Sequence, residues 1–229
     1  MPVLFSPMNE TARPRRRYDA SGRRARATQT RTSVIDAARR IFLERGYAAA
    51  TIPRIAAEAG VAVETVYRAA AGKAGLLEAA VQASLAGGVE RADVPVEQRP
   101  GIRRVIEETD PRRQLDAYAA TQPGVWSRVG PLLRILDAAA STDETLAALR
   151  DQHAQQRLQG LRRFAALLAE RGALRLGLSV NRAADIIWTL CAQANYDSLV
   201  TSRKWTADEY RKWLSETLAH ALLASDQPD

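Results

Sequence analysis

The sequence predicts an all-α protein, and three observations carry that reading. From Thr32 onward apolar residues recur at threes and fours. No stretch alternates convincingly with period two. The punctuation is that of helix ends, with hydroxyls and carboxylates in front of apolar runs and glycines behind them. The chain has 229 residues, 46% apolar and 26% charged. That length suits one large domain, or a small one joined to a larger, and needs no disulfide or metal staple to be stable.

Each element follows in order. Residues 1–30 carry Pro2, Pro7 and Pro14, two arginine clusters and little apolar content, and are expected to form a disordered basic arm. Val34, Ile35, Ala38, Ile41 and Phe42 form one stripe of a helix that Gly46 ends. Thr51 caps a short helix with Pro53 in its first turn, and Gly60 stops it. Further helices are expected at about 63–69 and 73–86, the latter closed by Gly87-Gly88. Residues 31–86 thus make a small head. A connector rich in Gly, Pro and charge covers 87–100, and a larger bundle covers 100–224. Within the bundle, Asp110-Pro111 opens a helix and Pro123-Gly124 is expected to separate it from the next. Ser141–Glu144 and Thr206–Glu209 read as capping boxes. A long helix spans about 142–171, and two more span about 181–201 and 207–224. There is no internal repeat.

Charge placement separates the two parts. The net charge is +7, and residues 1–80 carry all of it; residues 81–229 balance at 19 of each sign. A basic head on a neutral body reads as a polyanion binder, with a solvated basic tail as the bland alternative. One cysteine and two histidines exclude an intrachain disulfide and a zinc-finger framework. No Gly-rich phosphate loop, Gly-x-Ser-x-Gly elbow or His-rich metal motif occurs, so neither catalysis, a metal nor a cofactor is expected. No apolar run approaches the roughly 20 residues of a membrane span, and the N-terminus does not read as a signal peptide. A cytoplasmic, nucleoid-associated location is therefore expected. His153 reads as exposed. Cys191, beside Trp188, Leu190 and Ala192, reads as an inert core thiol.

Residues 51–71 are the informative segment. Two short helices crossing at a tight turn need a residue tolerant of positive φ, which Gly60 provides, and a small residue at the crossing, which Ala56 provides. Ile52, Ile55, Ala59, Val61 and Val66 sit where contacts to the rest of the head are needed. The second helix must then present polar side chains to a major groove. The run from Thr51 through Ile55-Ala56, Ala59-Gly60-Val61 and Thr65-Val66-Tyr67, followed by Lys73 and Leu76-Leu77, resembles the DNA-binding head of the TetR (tetracycline-repressor) family. The close resemblance covers residues 31–80. It departs at Ala69-Ala70, where the family commonly has bulkier residues, and at Ala62, where it commonly has a capping serine worth about 1 kcal/mol.

That resemblance implies an architecture and roles. The fold would be a three-helix helix-turn-helix head plus a C-terminal helical bundle. Thr51, Thr65, Tyr67 and Lys73 would contact phosphates. Val63, Glu64 and Arg68 would reach base edges, Arg68 suiting guanine and Glu64 cytosine. The bundle would bind a small apolar effector between helices, with Trp126, Leu133, Leu136, Trp188, Asn195 and Tyr196 as expected lining residues, each competing with plain core packing. Its last two helices would pair across a two-fold axis, through Ala184, Ile187, Leu190, Ala194 and Leu199 in one and Trp213, Leu214, Leu218, Ala221 and Leu222 in the other. The expected function is a ligand-responsive, homodimeric regulator, most simply a repressor, on palindromic double-stranded DNA. A constitutive or architectural DNA binder, whose large domain only dimerises, is the alternative.

Overall fold

A computed structural model describes residues 20–224. It is helical throughout. The described residues contain no extended strand, only an isolated antiparallel bridge between Leu174 and Leu223. In chain order the helices are α1 (Ala20–Ala49), α2 (Ile52–Ala59), α3 (Val63–Ala69), α4 (Gly72–Ala86), α5 (Pro100–Glu107), α6 (Pro111–Ala140), α7 (Glu144–Glu170), α8 (Val180–Leu190), α9 (Gln193–Tyr196) and α10 (Ala207–Leu222). Two 3₁₀ turns, Val89–Arg91 and Val96–Gln98, lie in the connector, and a π-helical turn, Asp197–Ser202, follows α9.

Two apolar cores hold these helices, and they do not coincide with head and bundle. The first joins α1–α4 to the middle of α6 and the start of α7, through Phe42, Ile55, Leu76, Leu77, Leu132, Leu136 and Leu146. The second lies at the far end, where Leu115, Leu161, Leu168, Ile187, Tyr210, Leu214 and Leu218 pack α6, α7, α8 and α10 together. Helix α6 belongs to both. It is the spine against which head and outer bundle are each seated.

Four local expectations are corrected. Residues 20–30, expected to belong to the disordered arm, are the first turns of α1. All three arm prolines precede them, and Arg, Ala and Gln favour helix. The remainder of that arm, residues 1–19, lies outside the described residues. Pro123 does not separate two helices: α6 runs through both Pro123 and Pro131. Each proline removes one backbone N–H. Burial of Gln122, Trp126, Val129 and Leu132 keeps the chain helical there, and the Thr121 hydroxyl donates to Tyr118 O at 2.7 Å beside the interruption. At the start of α7 the cap is the Asp143 carboxylate, accepting from Thr145 N and Leu146 N, where a box from Ser141 was expected. The box at Thr206–Glu209 forms as read.

The single helix expected over 181–201 is broken at Cys191-Ala192, and side chains explain why. Asn195 Nδ2 donates to Thr189 O and Leu190 O at 2.8 and 3.1 Å. Arg157 Nη2, from α7, donates to Trp188 O and Cys191 O at 3.1 and 2.9 Å. These donors satisfy carbonyls that a continuing helix would have satisfied itself, so α8 can end without cost and the chain turns. Asn195, read as a ligand-facing group, is thereby used as a cap.

Candidate nucleic-acid interface and the bundle interior

The turn between α2 and α3 is built by backbone. Gly60 adopts φ +66, ψ +33 and closes α2. Its N–H bonds Ala57 O, and Val61 N–H bonds Ala56 O at 3.0 Å. This pair of bonds reverses the chain tightly at the left-handed residue. Ala56 is buried at the crossing, and Val66 alone anchors α3 as a fully buried residue. At the front of α2 the Thr51 hydroxyl accepts from Arg54 N, and Arg40 Nε bonds Glu58 at 3.0 Å, tying α2 back to α1.

With Val66 inward, α3 turns Glu64, Tyr67 and Arg68 to solvent, Tyr67 with 56% of its surface accessible. A tyrosine so exposed on a seven-residue helix has no packing reason to be there. Arg68 Nη2 donates to Thr65 Oγ1 at 3.0 Å, which holds the guanidinium along the helix and leaves its other N–H groups outward. Val63 differs from its expected role. It is half-buried and packs against the head core, so less of it is offered to a base. Neither α3 nor α4 has a side-chain cap at its N-terminus, Ala62 and Ala71 standing at the cap positions.

Lys73 lies in the first turn of α4, away from α3 along the chain but bonded to the head's frame. Its Nζ donates to Ala48 O at 3.3 Å and sits 4.2 Å above the Tyr47 ring. One donor is thus committed, and two remain on an ammonium at a helix N-terminus, where backbone N–H groups also point outward. Burial pulls Lys73 below its ordinary value, against Asp143, which favours the charge; burial and Asp143 both push Tyr47 up. Tyr47 is the residue that sequence reading missed. Its aromatic face positions the lysine, and an aromatic just after Gly46 was the available signal. Thr51 thus stands at the cap of α2, Glu64, Thr65, Tyr67 and Arg68 on α3 and Lys73 in the first turn of α4, with α3 packed against both neighbours.

The six expected effector residues divide. Leu136 is fully buried in the first core, and Leu133 packs against it. Trp126 and Trp188 flank the Arg157 guanidinium, whose carbon lies 5.6 Å from one ring centre and 4.2 Å from the other. Tyr196 touches both cores and meets Tyr210 edge-to-face at 5.3 Å. Arg157 had not been singled out in the sequence, because nothing in helical spacing marks an arginine turned toward aromatics of other helices. His153, expected to be exposed, is half-buried, and burial holds it below its usual value against the opposing influence of Glu78 in α4.

Part of the expected pairing surface is spent inside the chain. Ala184, Ile187, Leu214, Leu218 and Leu222 are fully buried in the second core. What α8 and α10 leave outside is a shallow groove lined by Leu178, Ile186, Leu190, Thr217 and Ala221, rimmed by Arg175, Arg182 and Asp185. A second groove, between head and spine, runs past Leu43, Tyr47, Pro131, Ile135 and Asp143. No described helix is long and apolar enough to cross a membrane.

Residues 34–80 match the model of the family described as bacterial regulatory proteins, tetR family. No curated protein matches the chain. Among solved structures it is similar to NalD of Pseudomonas aeruginosa, the secondary repressor of the MexAB-OprM multidrug efflux pump, with a TM-score of 0.62, 23% identity, and 85% of this chain and 97% of that one covered. It is similar to the transcriptional regulator FadR of Bacillus subtilis in complex with stearoyl-CoA, with a TM-score of 0.64, 18% identity, and 82% and 97% covered. A transcriptional regulator from Saccharomonospora viridis in complex with choline gives a TM-score of 0.65 at 17% identity, with 86% and 100% covered. Taken with the exposed face of α3 and the turn at Gly60, these matches give residues 34–80 a helix-turn-helix head similar to that of tetR-family bacterial regulatory proteins, set in a TetR-like all-helical fold.

Proposed function

We propose that this regulator is a homodimeric repressor that reads palindromic operator DNA and is released by a small molecule bound in the bundle. One observation carries the reading: α3 is anchored by Val66 and turns Glu64, Tyr67 and Arg68 outward. Thr51, Thr65, Tyr67 and Lys73 serve phosphates; Arg68 and Glu64 serve base edges, with Val63 a lesser contact. A single recognition helix reads too few base pairs for strong specificity, which favours a two-fold pair of heads, assembled through the groove of α8 and α10. That two similar folds hold stearoyl-CoA and choline, and that another is a repressor, supports the release mechanism.

The lever follows from the shared core. Leu76, Leu77 and Val81 of α4 are buried against α6 and α1, and Arg128 of α6 donates to Ser84 O at 3.1 Å. A displacement of α6 by a bound molecule therefore moves α4, and α3 with it. Selection of DNA from a random pool by the purified protein tests the first half; half-sites about one helical turn apart are expected. Effector titration with and without that DNA tests the second, because the two affinities must be coupled by the same factor in both directions, typically about 5- to 150-fold. Binding without sequence preference would support the architectural alternative instead.

A further inference from the structure

Arg157 is a cation without a counter-ion among the described residues. It lies on α7, half-buried, and the ionisable groups that face it are Tyr118, Cys191 and Tyr210. Among the described residues no carboxylate pairs with it; the ion pairs involve other arginines and lysines. Its two hydrogen bonds, to Trp188 O and Cys191 O, both come from Nη2. A guanidinium has five N–H donors in a planar fork, so Nε and Nη1 are left with none of the acceptors that the described residues supply. Burial pulls the guanidinium below its ordinary value and pushes the Cys191 thiol up to about 12 and the Tyr118 and Tyr210 phenols up. The neighbours therefore stay neutral and supply no compensating charge.

Two more buried polar atoms, on the helices packed around it, lack partners among the described residues. Trp126 Nε1 and the Tyr210 hydroxyl are both buried, and neither has a hydrogen bond. Trp126 is 6% exposed and Tyr210 fully buried. Buried donors are ordinarily satisfied, and orphans of this kind ask for an explanation. Here they share a surrounding: the guanidinium faces the Trp126 ring, and Tyr210 is among the groups that act on it. Guanidinium, indole N–H and phenol O–H form a donor-rich set. Its complement is an acceptor-only group with negative charge, and Arg binds such groups bidentately. The walls around them are aromatic: Trp188, Tyr196 and the Tyr118–Phe164 pair, whose rings are 4.6 Å apart.

We propose that Arg157 anchors an anionic effector, an organic acid whose apolar body lies among the aromatics of α6–α10 and whose charged head takes the free donors of Arg157, Trp126 and Tyr210. The inference rests on the ligand-release reading above and narrows its effector from apolar molecules in general to apolar acids. The competing account makes Arg157 only a cap for the C-terminus of α8, whose carbonyls carry partial negative charge. That role uses Nη2 and leaves the other donors and both orphans unexplained.

The test uses the full-length protein and matched probes. Decanoate and 1-naphthylacetate are compared with decanamide, 1-naphthylacetamide and decyltrimethylammonium, by calorimetry and by tryptophan fluorescence. Each acid should bind about tenfold or more tightly than its amide, and the quaternary ammonium least. Arg157→Gln should erase the acid–amide difference, and Trp126→Phe should weaken the acids several-fold more than it weakens their amides. Should Arg157→Gln fail to fold, Arg157→Lys, which keeps charge and loses the fork, should retain part of the preference. Equal binding of acid and amide, tighter binding of the cation, survival of the preference in Arg157→Gln, or no binding of either acid at millimolar concentration would each overturn the proposal. Release of selected DNA, read in parallel, separates the two hypotheses. Acids that bind with the expected preference yet leave DNA bound would sustain the anion site and sink the release mechanism. Amides that release DNA as well as acids would do the reverse.

Discussion

Arg68 and Lys73 are both basic residues of the head, yet the structure gives them different reach. Arg68 stands on the outward face of α3, steered by Thr65. Lys73 is held over Tyr47 and bonded to Ala48 O. A side chain on the recognition helix can meet base edges, whereas one at a helix N-terminus behind it meets backbone. Arg68→Ala should therefore cost about 1–3 kcal/mol on the selected operator and relax preference at one base pair. Lys73→Ala should weaken all sequences alike and lower the salt slope by about one. Binding titrations on operator and scrambled DNA at several salt concentrations check both, and a uniform loss for Arg68→Ala would return it to the phosphate contacts.

Cys191 makes a second prediction at this scale. It is fully buried among Tyr118, Arg157 and the second core, and its thiol is pushed up to about 12 by burial, from an ordinary 9.0. The folded state thus keeps a proton that the unfolded chain gives up. The sign follows: the contribution is complete below pH 9 and is lost as pH rises from 9 to about 12, at about 1.4 kcal/mol per pH unit. Urea unfolding at pH 8 and pH 10 should show a smaller alkaline loss for Cys191→Ala than for the parent. Equal losses would show that the thiol is not the titrating group, leaving Tyr118 and Tyr210, which burial raises as well.

At the scale of elements, α2 and α3 depend on one backbone conformation. Gly60 sits at φ +66, and a Cβ added there would meet nothing within 4 Å. Substitution is therefore penalised by conformation alone and not by crowding, about 1 kcal/mol for alanine. Gly60→Ala should lower stability by about that amount and Gly60→Asn by less, since Asn tolerates the left-handed region better; thermal melts distinguish them. Reading of elements from the sequence succeeded where the determinant was local. Thr206–Glu209 caps α10 as the residue spacing required. It failed where distant groups intervened: Pro123 stays within a helix because the spine is buried on several sides, and α8 ends because Arg157 and Asn195 occupy its last carbonyls.

At the scale of the whole molecule, the groove between α8 and α10 is the apolar surface that the second core leaves uncovered. Ala221 lies on it, while its neighbour Leu222 points inward. If the heads are paired through this face, Ala221→Glu should give monomers that lose operator binding although Thr51–Lys73 are untouched and the fold is intact. Light scattering with circular dichroism checks the outcome; a parent protein that is itself monomeric at micromolar concentration would sink the pairing. The first core sets a further condition on any signal. Because it includes α1, α4, α6 and α7 together, the release mechanism proposed above requires that a displacement of the spine reach α3 through packed side chains.

What the sequence determined by itself was the set of local decisions. Helical periodicity fixed the class, and Gly60 and Ala56 fixed the helix-turn-helix crossing, because each depends on residues within a few turns of one another. What only the tertiary structure decided was which side chains meet across the chain. Val63 was drawn toward the head core, half the expected pairing residues were spent in the second core, and Asn195 became a cap. Arg157, thirty-one residues from Trp126 and from Trp188 alike, came to lie between their rings. No periodicity encodes that meeting, since it arises only when α6, α7 and α8 pack and take an arginine partly out of water.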